Sequence, residues 1–276
     1  MLAELALYVA SPCPADHRRL GHLSAAVSLW SRATRCAAAW APHYARCRAV
    51  VERAVADLPR RRKAVVLGSG LCRDVPVERL AAAFETLVLV DVVHLAPVRW
   101  RLSGLRNLRF EHRDLTGTTD LLLGRSDRVA DPLAALAEDP DIDLVVSANC
   151  LSQLPLGPRA ALARGRSQAA LPADLERRIL AAHWDGLRRL PARVCLLTDT
   201  CCRTQDRAGR TLERLDLVPG LDLPPTDERW DWALAPLGED GPDHTLVHEA
   251  RGYPDLAAAL KVPARSPARP RLRPVP

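Results

Sequence analysis

Apolar positions divide the chain into two regimes. Between residues 22 and 58 they recur at helical spacing: Val27, Trp30, Ala33, Ala37 and Trp40, then Tyr44, Cys47, Val51 and Val55. This stretch contains no Gly and a single Pro, Pro42. The pattern predicts two helices, broken or kinked near Pro42 and ending before Lys63. From residue 64 onward, short apolar runs alternate with helical patterns. The runs at 64–68, 86–91, 108–113, 143–148 and 193–199 predict strands, and the segments at about 76–84, 95–104, 128–138 and 174–190 predict helices. Such alternation predicts an α/β fold, Rossmann-like and doubly wound, with helices on both faces of a mostly parallel sheet. Asp143-Leu-Val-Val-Ser147 is short and apolar, as a central strand covered on both sides must be. Residues 155–173, rich in Pro, Gly, Ala and Arg, predict a loop near the site. Two alternating runs, 228–234 and 245–251, flank a Gly/Pro/Asp turn and predict a terminal antiparallel hairpin. The chain is thus expected to comprise an N-terminal helical cap (1–63), an α/β domain (64–260) and a disordered Pro/Arg-rich tail (261–276).

The first two runs of the α/β region carry the most information. Ala64 to Leu67 ends in Gly68-Ser69-Gly70, and Leu87 to Val90 ends in Asp91. Glycines let the backbone turn tightly against a ligand, and an acid at the tip of the next strand accepts both hydroxyls of a ribose. An adenosine-bearing cofactor is expected. A nicotinamide dinucleotide meets two obstacles. The third glycine of Gly-x-Gly-x-x-Gly would fall at Arg73, and Asp74 at the following helix start would repel a pyrophosphate. A ligand with an ammonium and a carboxylate fits better, with Asp74 facing the first and Arg73 the second. Asp74 capping the helix is the simpler alternative.

Composition and charge sharpen the picture. The chain has 276 residues, 48% hydrophobic, enough to bury a large core. No apolar stretch approaches the roughly 18 residues of a membrane span. The start lacks a basic segment and carries Glu4, so no secretory signal is expected. The eight cysteines form no Cys-x-x-Cys pair and read as reduced, mostly buried thiols of a cytoplasmic protein. Cys201-Cys202 has no ligand partner at metal-binding spacing, and no metal site is expected. The net charge of +6 is uneven. Residues 1–63 hold eleven Lys and Arg against four acids, residues 64–260 hold 23 against 29, and residues 261–276 hold five basics and no acid. A nucleic-acid binder usually spreads positive charge over its main domain, so a nucleic-acid partner is disfavoured and a solvated basic helix face expected.

Five parallel strands followed by a hairpin is the order of the class I S-adenosylmethionine-dependent methyltransferases, and the chain resembles that superfamily from about residue 64 to 253. The glycine motif matches Leu67-Gly68-Ser69-Gly70, and the strand-two acid matches Asp91 before Val92. The strand-three acid matches Asp114 before Leu115, and the strand-four motif matches Val145 through Leu154. The chain departs from the pattern at Val66, where an acid is usual, and at Cys72, where a third glycine is usual. By resemblance the cofactor is S-adenosyl-L-methionine. Gly68, Ser69 and Gly70 would face its methionine portion and Asp91, with Val92, its ribose. Asp114 and Leu115 would receive the adenine, and Asn149 would line the methyl-transfer side. Gln153, His94 and Tyr44 are the substrate-side candidates.

The resemblance implies methyl transfer by in-line displacement, with much of the rate coming from holding acceptor and methyl collinear and close. No residue identifies itself as a general base; His94 and Tyr44 are the candidates, and no catalytic residue is assigned. Trp30, Trp40, His43 and Tyr44 form either a lid or ordinary packing. The Asn-Pro-Pro-aromatic signature of some amino-group methyltransferases is replaced by Asn149-Cys150-Leu151-Ser152, which leaves an unspecified macromolecule or, as the expected acceptor, a small molecule positioned beneath the cap. Two other readings stand beside this one: a methyltransferase-like binding protein without turnover, and an NAD-dependent oxidoreductase. An aminopropyl transferase of the same fold would carry an acidic pair beyond strand four, and residues 147–154 contain no acid.

Overall fold

The computed structural model describes residues 2–167 and 171–262. The expected tail therefore lies, beyond Val262, outside the described residues. Four helices come first: α1 (Leu2–Ala10), α2 (Ala15–Leu20), α3 (His22–Arg35) and α4 (Ala37–Ala56). Strands β1 (Lys63–Leu67), β2 (Thr86–Asp91), β3 (Leu108–His112) and β4 (Ile142–Ala148) follow, with α5 (Val77–Ala83), α6 (Ala96–Arg101), α7 (Thr119–Leu122) and α8 (Ala134–Ala137) between them. After β4 come α9 (Leu156–Ala163), α10 (Leu175–Arg189), β5 (Arg193–Asp206), β6 (Thr211–Asp216), β7 (Arg229–Ala235), β8 (His244–Tyr253) and α11 (Leu256–Leu260).

The strands form one sheet in the order β3-β2-β1-β4-β5-β8-β7, with β6 paired to the distal half of β5. β1 to β5 are parallel, and β8 and β7 add an antiparallel pair at the edge. This is the Rossmann-like, doubly wound fold that the alternation of elements predicts. Chain order reverses between β1 and β4, and a parallel sheet opens a crevice at the carboxyl ends of such strands. β1 shows why the sheet is central. Val65 and Leu67 join a core on one face with Ile179 and Leu187, while Ala64 and Val66 join a core on the other with Val50 and Leu80. All four are buried, as a strand covered on both sides requires.

The N-terminal helices are part of that second core. Leu7, Leu23, Val27, Cys47, Val50 and Val51 pack with Val146, Cys195 and Trp230 of the sheet. α4 lies across β5, β7 and β8. Charge assists the docking. Arg32 and Arg35 meet Glu239, Arg53 meets Glu228 at 2.7 Å, Arg62 meets Asp141 and Asp143, and Lys63 meets Asp139 at 2.6 Å. Arg32, Arg35, Arg53, Arg62 and Lys63 of the basic leader are therefore matched by acids of the α/β region.

Several elements differ from the sequence reading. α4 runs unbroken through Pro42, and the break lies at Cys36 instead. Pro42 removes one helical hydrogen bond, but Trp40, His43 and Cys47 bury the same face and hold the helix together. Residues 155–173 contain a helix, α9, entered through Pro155. The helix expected over 128–138 shrinks to Ala134–Ala137. β5 continues to Asp206 and pairs with β6, whose residues are all exposed. Such a strand has no buried face to impose alternation. The terminal hairpin forms as expected, with Trp232 opposite His248.

α4 approaches β8 closely at Gly252, where a Cβ would stand 2.7 Å from Val50 Cγ2 and 3.1 Å from its Cγ1. Gly252→Ala is expected to cost about 1–3 kcal/mol by overpacking, read as a lowered urea midpoint. Adding Val50→Ala should recover part of that loss, because the double variant removes the colliding atoms; strict additivity of the two costs would show that the contact is not the cause.

Candidate functional site

The loops at the carboxyl ends of β1, β2 and β4 meet beneath α3 and α4 around a cavity of about 470 Å³. That volume falls in the range of roughly 300–1,000 Å³ typical of small-molecule and cofactor sites. One half is built by the glycine turn. Gly68 and Gly70 adopt φ of 70° and 47°, and a Cβ on Gly68 would lie 2.4 Å from Cys150 Cβ. Glycine is required there twice over, by backbone sign and by the close passage of the β4 tip. The amides of Gly68 and Ser69 donate to Val90 O at 3.0 and 3.2 Å, wrapping the turn around the end of β2.

Asp91 fastens the same turn. Its Oδ2 accepts from Gly70 N and its Oδ1 from Val92 N, both at 2.7 Å. Each carboxylate oxygen keeps a further lone pair, and Asp91 lines the cavity. Burial pushes its carboxyl up, against the hydrogen bonds from Gly70 and Val92. Asp74, on the loop after β1, also lines the cavity, and burial raises it likewise. Asn149, just past β4, donates from Nδ2 to Asp74 Oδ2 at 2.6 Å. Asn149 is held at φ 50°, and its buried Oδ1 has no partner among the described residues. The result is a carboxylate beside an unclaimed amide oxygen, a pair suited to an ammonium group. Arg73 lines the cavity too, but its guanidinium donates to Ala33 O at 2.8 Å, anchoring α3.

The other residues singled out in the sequence fall in different places. Val92, Leu115, Gln153 and Tyr44 line the cavity. Asp114 is not among the lining residues. Its Oδ1 accepts from the amide and hydroxyl of Thr116, and its Oδ2 from the amides of Thr118 and Thr119, so the carboxylate caps α7. Burial opposes its charge, yet those hydrogen bonds hold its carboxyl below the usual range. His94 is fully buried behind the glycine turn, with Nε2 3.0 Å from Ser69 Oγ and its ring packed on Phe110 and His112. It positions the turn from outside the cavity. Burial pushes the Tyr44 hydroxyl well above its ordinary value, which removes it as a base near neutrality.

The second half of the cavity is aromatic. Trp40, His43 and Tyr44 of α4 face Trp232 and Leu234 of β7 and His248 of β8. Trp40 Nε1 donates to Leu234 O at 3.0 Å, and His43 stacks on Trp232 with centroids 4.0 Å apart and planes 13° apart. The indole N–H of Trp230 donates to His43 Nδ1 at 3.1 Å, so the neutral ring carries its proton on Nε2, 3.4 Å from Cys47 Sγ. Burial holds His43 down at about 4. His248 differs: its Nδ1 faces Asp199 Oδ2 at 3.0 Å, and Asp199 is completely buried. Asp199 sits where the β5–β8 register shifts, at a bulge of the kind that re-aims side chains beside functional sites.

His43, Asp199, Trp232 and His248 were not singled out as a group by the sequence. The available signal was positional. Asp199 ends the fifth predicted strand as Asp91 ends the second, and Trp232 and His248 occupy paired places on the hairpin. The eight cysteines are unpaired, and burial pushes Cys72, Cys150 and Cys195 up to about 12, leaving them protonated and poor nucleophiles. Among the described residues no group of three or more His, Cys, Asp or Glu is placed to hold a metal ion, and no helix is long and apolar enough to cross a membrane.

No family model matches the chain, and no curated protein matches it. Among solved structures it is similar to the Burkholderia thailandensis 1,6-didemethyltoxoflavin-N1-methyltransferase with bound 1,6-didemethyltoxoflavin and S-adenosylhomocysteine, at 14% identity over 87% of this chain and 91% of that one, TM-score 0.39. It is also similar to the N-methyltransferase NodS from Bradyrhizobium japonicum in complex with S-adenosylhomocysteine, at 13% identity over 73% and 83%, TM-score 0.35. An rRNA methylase from Streptococcus thermophilus is similar at 16% identity over 73% and 94%, TM-score 0.34.

Three buried histidines make the fold sensitive to acid. Burial depresses His43 and His183 to about 4 and His94 to about 3, from an ordinary value of 6.5. Below pH 6.5 the unfolded chain binds protons that the folded chain refuses, so stability falls as pH drops from 6.5 towards 4. Each histidine adds up to about 1.4 kcal/mol per pH unit to the slope. Urea midpoints at pH 7.5, 5.5 and 4.5 should fall in that order, and more shallowly in His94→Gln.

Proposed function

We propose that the chain is a class I S-adenosylmethionine-dependent methyltransferase acting on a small molecule held beneath α3 and α4. One observation carries this reading. A single cavity joins a nucleotide-type half, built by Gly68 to Gly70 and Asp91, to an aromatic half supplied by the N-terminal helices and the terminal hairpin. When bound, S-adenosylmethionine supplies an electrophilic methyl on a sulfonium. The residues suit its other groups. Asp91 offers two carboxylate oxygens to the ribose hydroxyls, each already fixed by a backbone amide. Asp74 and the unpartnered Asn149 Oδ1 offer two acceptors to the ammonium. Leu115 and Thr116 offer a wall to the adenine, while the Asp114 carboxylate shapes that wall through its cap.

The partially buried Asp74 argues against a nicotinamide dinucleotide, whose pyrophosphate would have to displace or neutralise it. The acceptor half favours a small ring over a polyanion. Its walls are Trp40, Trp232, Leu29 and Leu234, and Arg35, Arg53, Arg62 and Lys63 of the leader are engaged with Glu228, Glu239, Asp139, Asp141 and Asp143. Residues 1–63 then serve as the acceptor-side cap of the domain at 64–260. Their role is to exclude water and hold the acceptor in line with the methyl.

Calorimetry tests the cofactor. S-adenosylmethionine and S-adenosylhomocysteine should bind with micromolar Kd, and Asp91→Ala should weaken both by about 30-fold, the worth of one or two hydrogen bonds to a charged group. Binding of NAD(H) alone would overturn the assignment. Tight binding of the sulfur nucleosides without methylation of any acceptor in an extract would instead favour a binding protein.

A further inference from the structure

We infer that His248, oriented by Asp199, is the general base of the reaction, and that the acceptor is an aromatic hydroxyl. The inference rests on the methyl-donor reading above and adds the chemistry of the other substrate. Five histidines and a tyrosine come near the cavity, and the structure separates them. His94 lies behind the glycine turn with Nε2 on Ser69. His183 is fully buried beside Ser147, outside the cavity wall. His22 lines the cavity at its adenine end, where Asp114 and His17 are its titratable neighbours. His43 presents a bound N–H, because Trp230 occupies its only lone pair. Tyr44 stays protonated. His248 alone has the opposite arrangement. Its Nδ1–H donates to a buried carboxylate, which leaves the Nε2 lone pair bare, and no described residue occupies it.

The strand neighbours paired with His248 are uncharged, Cys202 on β5 and Trp232 on β7. On the elements packed around it the titratable groups are Asp199 and Cys202 of β5 and His43 of α4, with the indole of Trp232 on β7, and Arg32, Tyr44 and Asp74 line the same cavity. Burial pushes the Cys202 thiol up and holds His43 down at about 4. Asp199 is the carboxylate in contact with His248 and is placed to balance an imidazolium, and its Oδ1 remains without a partner among the described residues. A base in this position matters only for an acceptor that must lose a proton. The walls beside it are flat: Trp232 lies between His43, stacked on one side, and His248 and Trp40, whose rings meet it edge-on. Trp232 Nε1 is buried with no acceptor among the described residues. An aromatic ring bearing a hydroxyl meets all of these conditions.

The step balances. His248 Nε2 takes the proton of the acceptor hydroxyl. The oxygen's electron pair forms the bond to the methyl carbon, and the pair of the methyl–sulfur bond stays with sulfur. The positive charge lost at sulfur appears on the imidazolium beside Asp199 and leaves as a proton to solvent.

The probe is 4-nitrophenol, whose ionised form is read directly by its absorbance. Titrated into the protein loaded with S-adenosylhomocysteine, it should bind and shift towards the phenolate. The ratio of ionised to neutral probe should be at least about tenfold higher than in His248→Gln, while S-adenosylhomocysteine binding stays unchanged in that variant. Nitrogen NMR on the wild-type protein gives a second reading: neutral His248 should carry its proton on Nδ1, and Asp199→Asn should move it to Nε2. Ionisation of the probe to the same extent in His248→Gln, failure of the probe to bind, or a proton on Nε2 in the wild type would each overturn the inference. Failure of S-adenosylhomocysteine to bind is a different result and falls on the cofactor reading, since the probe and NMR titrations are also run without it.

Discussion

A partly buried hydrogen bond of 2.6 Å, from Asn149 Nδ2 to Asp74 Oδ2, ties together two strand tips that the topology sends to opposite sides of the crevice. Asp74 follows β1 and Asn149 follows β4, the two strands between which chain order reverses. Everything in the cavity is arranged about that tie. It requires Asn149 at φ 50°, Gly68 without a Cβ beside Cys150, and Cys47 of α4 within 3.5 Å of the same amide nitrogen. The bond therefore links the two loops and the first helical layer at one point. It also leaves an imbalance. A carboxylate raised by burial and an amide oxygen without a partner are both costly to keep dry, and a cation placed between them would relieve both. The strained residue and the unpaired atom sit at the same place, which is where a ligand gains most from binding.

The N-terminal helices meet the sheet by burial first and charge second. Individual surface ion pairs are worth at most about 1 kcal/mol and contribute little to the strength of docking. Leu23, Val27, Cys47, Val50 and Val51 supply the apolar area, continuous with the core beneath. The matched charges act on orientation: leader arginines find acids just before β7, on the β7–β8 turn and at the start of β4, so sliding the leader along the sheet would leave several charges facing nothing. Fixed orientation is what the acceptor half needs, because its walls come from segments nearly two hundred residues apart. His43 stacks on Trp232 and receives a hydrogen bond from Trp230, so a shift of α4 by one turn would dismantle the aromatic wall.

That distance explains how much was legible in the sequence. The parallel strands, the glycine turn and Asp91 are local patterns, and each depends on neighbours within a few residues. The terminal hairpin was legible for the same reason. Pro42 misled because its local cost was offset by burial of Trp40, His43 and Cys47 against partners far along the chain. β6 was missed because it is exposed on both faces and carries no alternation. Asp114 shows a subtler limit: an acid before Leu-Thr-Gly-Thr-Thr fits a ligand contact and a helix cap equally well, and only the positions of four donors distinguish them. The pairing of His248 with Asp199 was illegible in a stronger sense. It arises from the register of β5 against β8 and from a bulge, neither of which leaves a trace in residue spacing.

The buried histidines show how one residue type takes three roles from its surroundings. A ring without a charged partner stays neutral at low dielectric, and the proton's place follows from whichever neighbour is a donor. His94 and His183 meet hydroxyls, which accept or donate and impose little. His43 meets an indole N–H, which only donates, and so becomes a donor on its other side. His248 meets a carboxylate, which only accepts, and so becomes an acceptor on its other side. The two rings in the aromatic half of the cavity are thus opposite in polarity, one presenting N–H and the other a lone pair, with Trp232 beside both. A group that is to lose a proton needs a base at one edge and a dry, immobile wall against its face. The fold reaches that arrangement by aiming one acid, at a bulge within a central strand, at one imidazole on the edge hairpin.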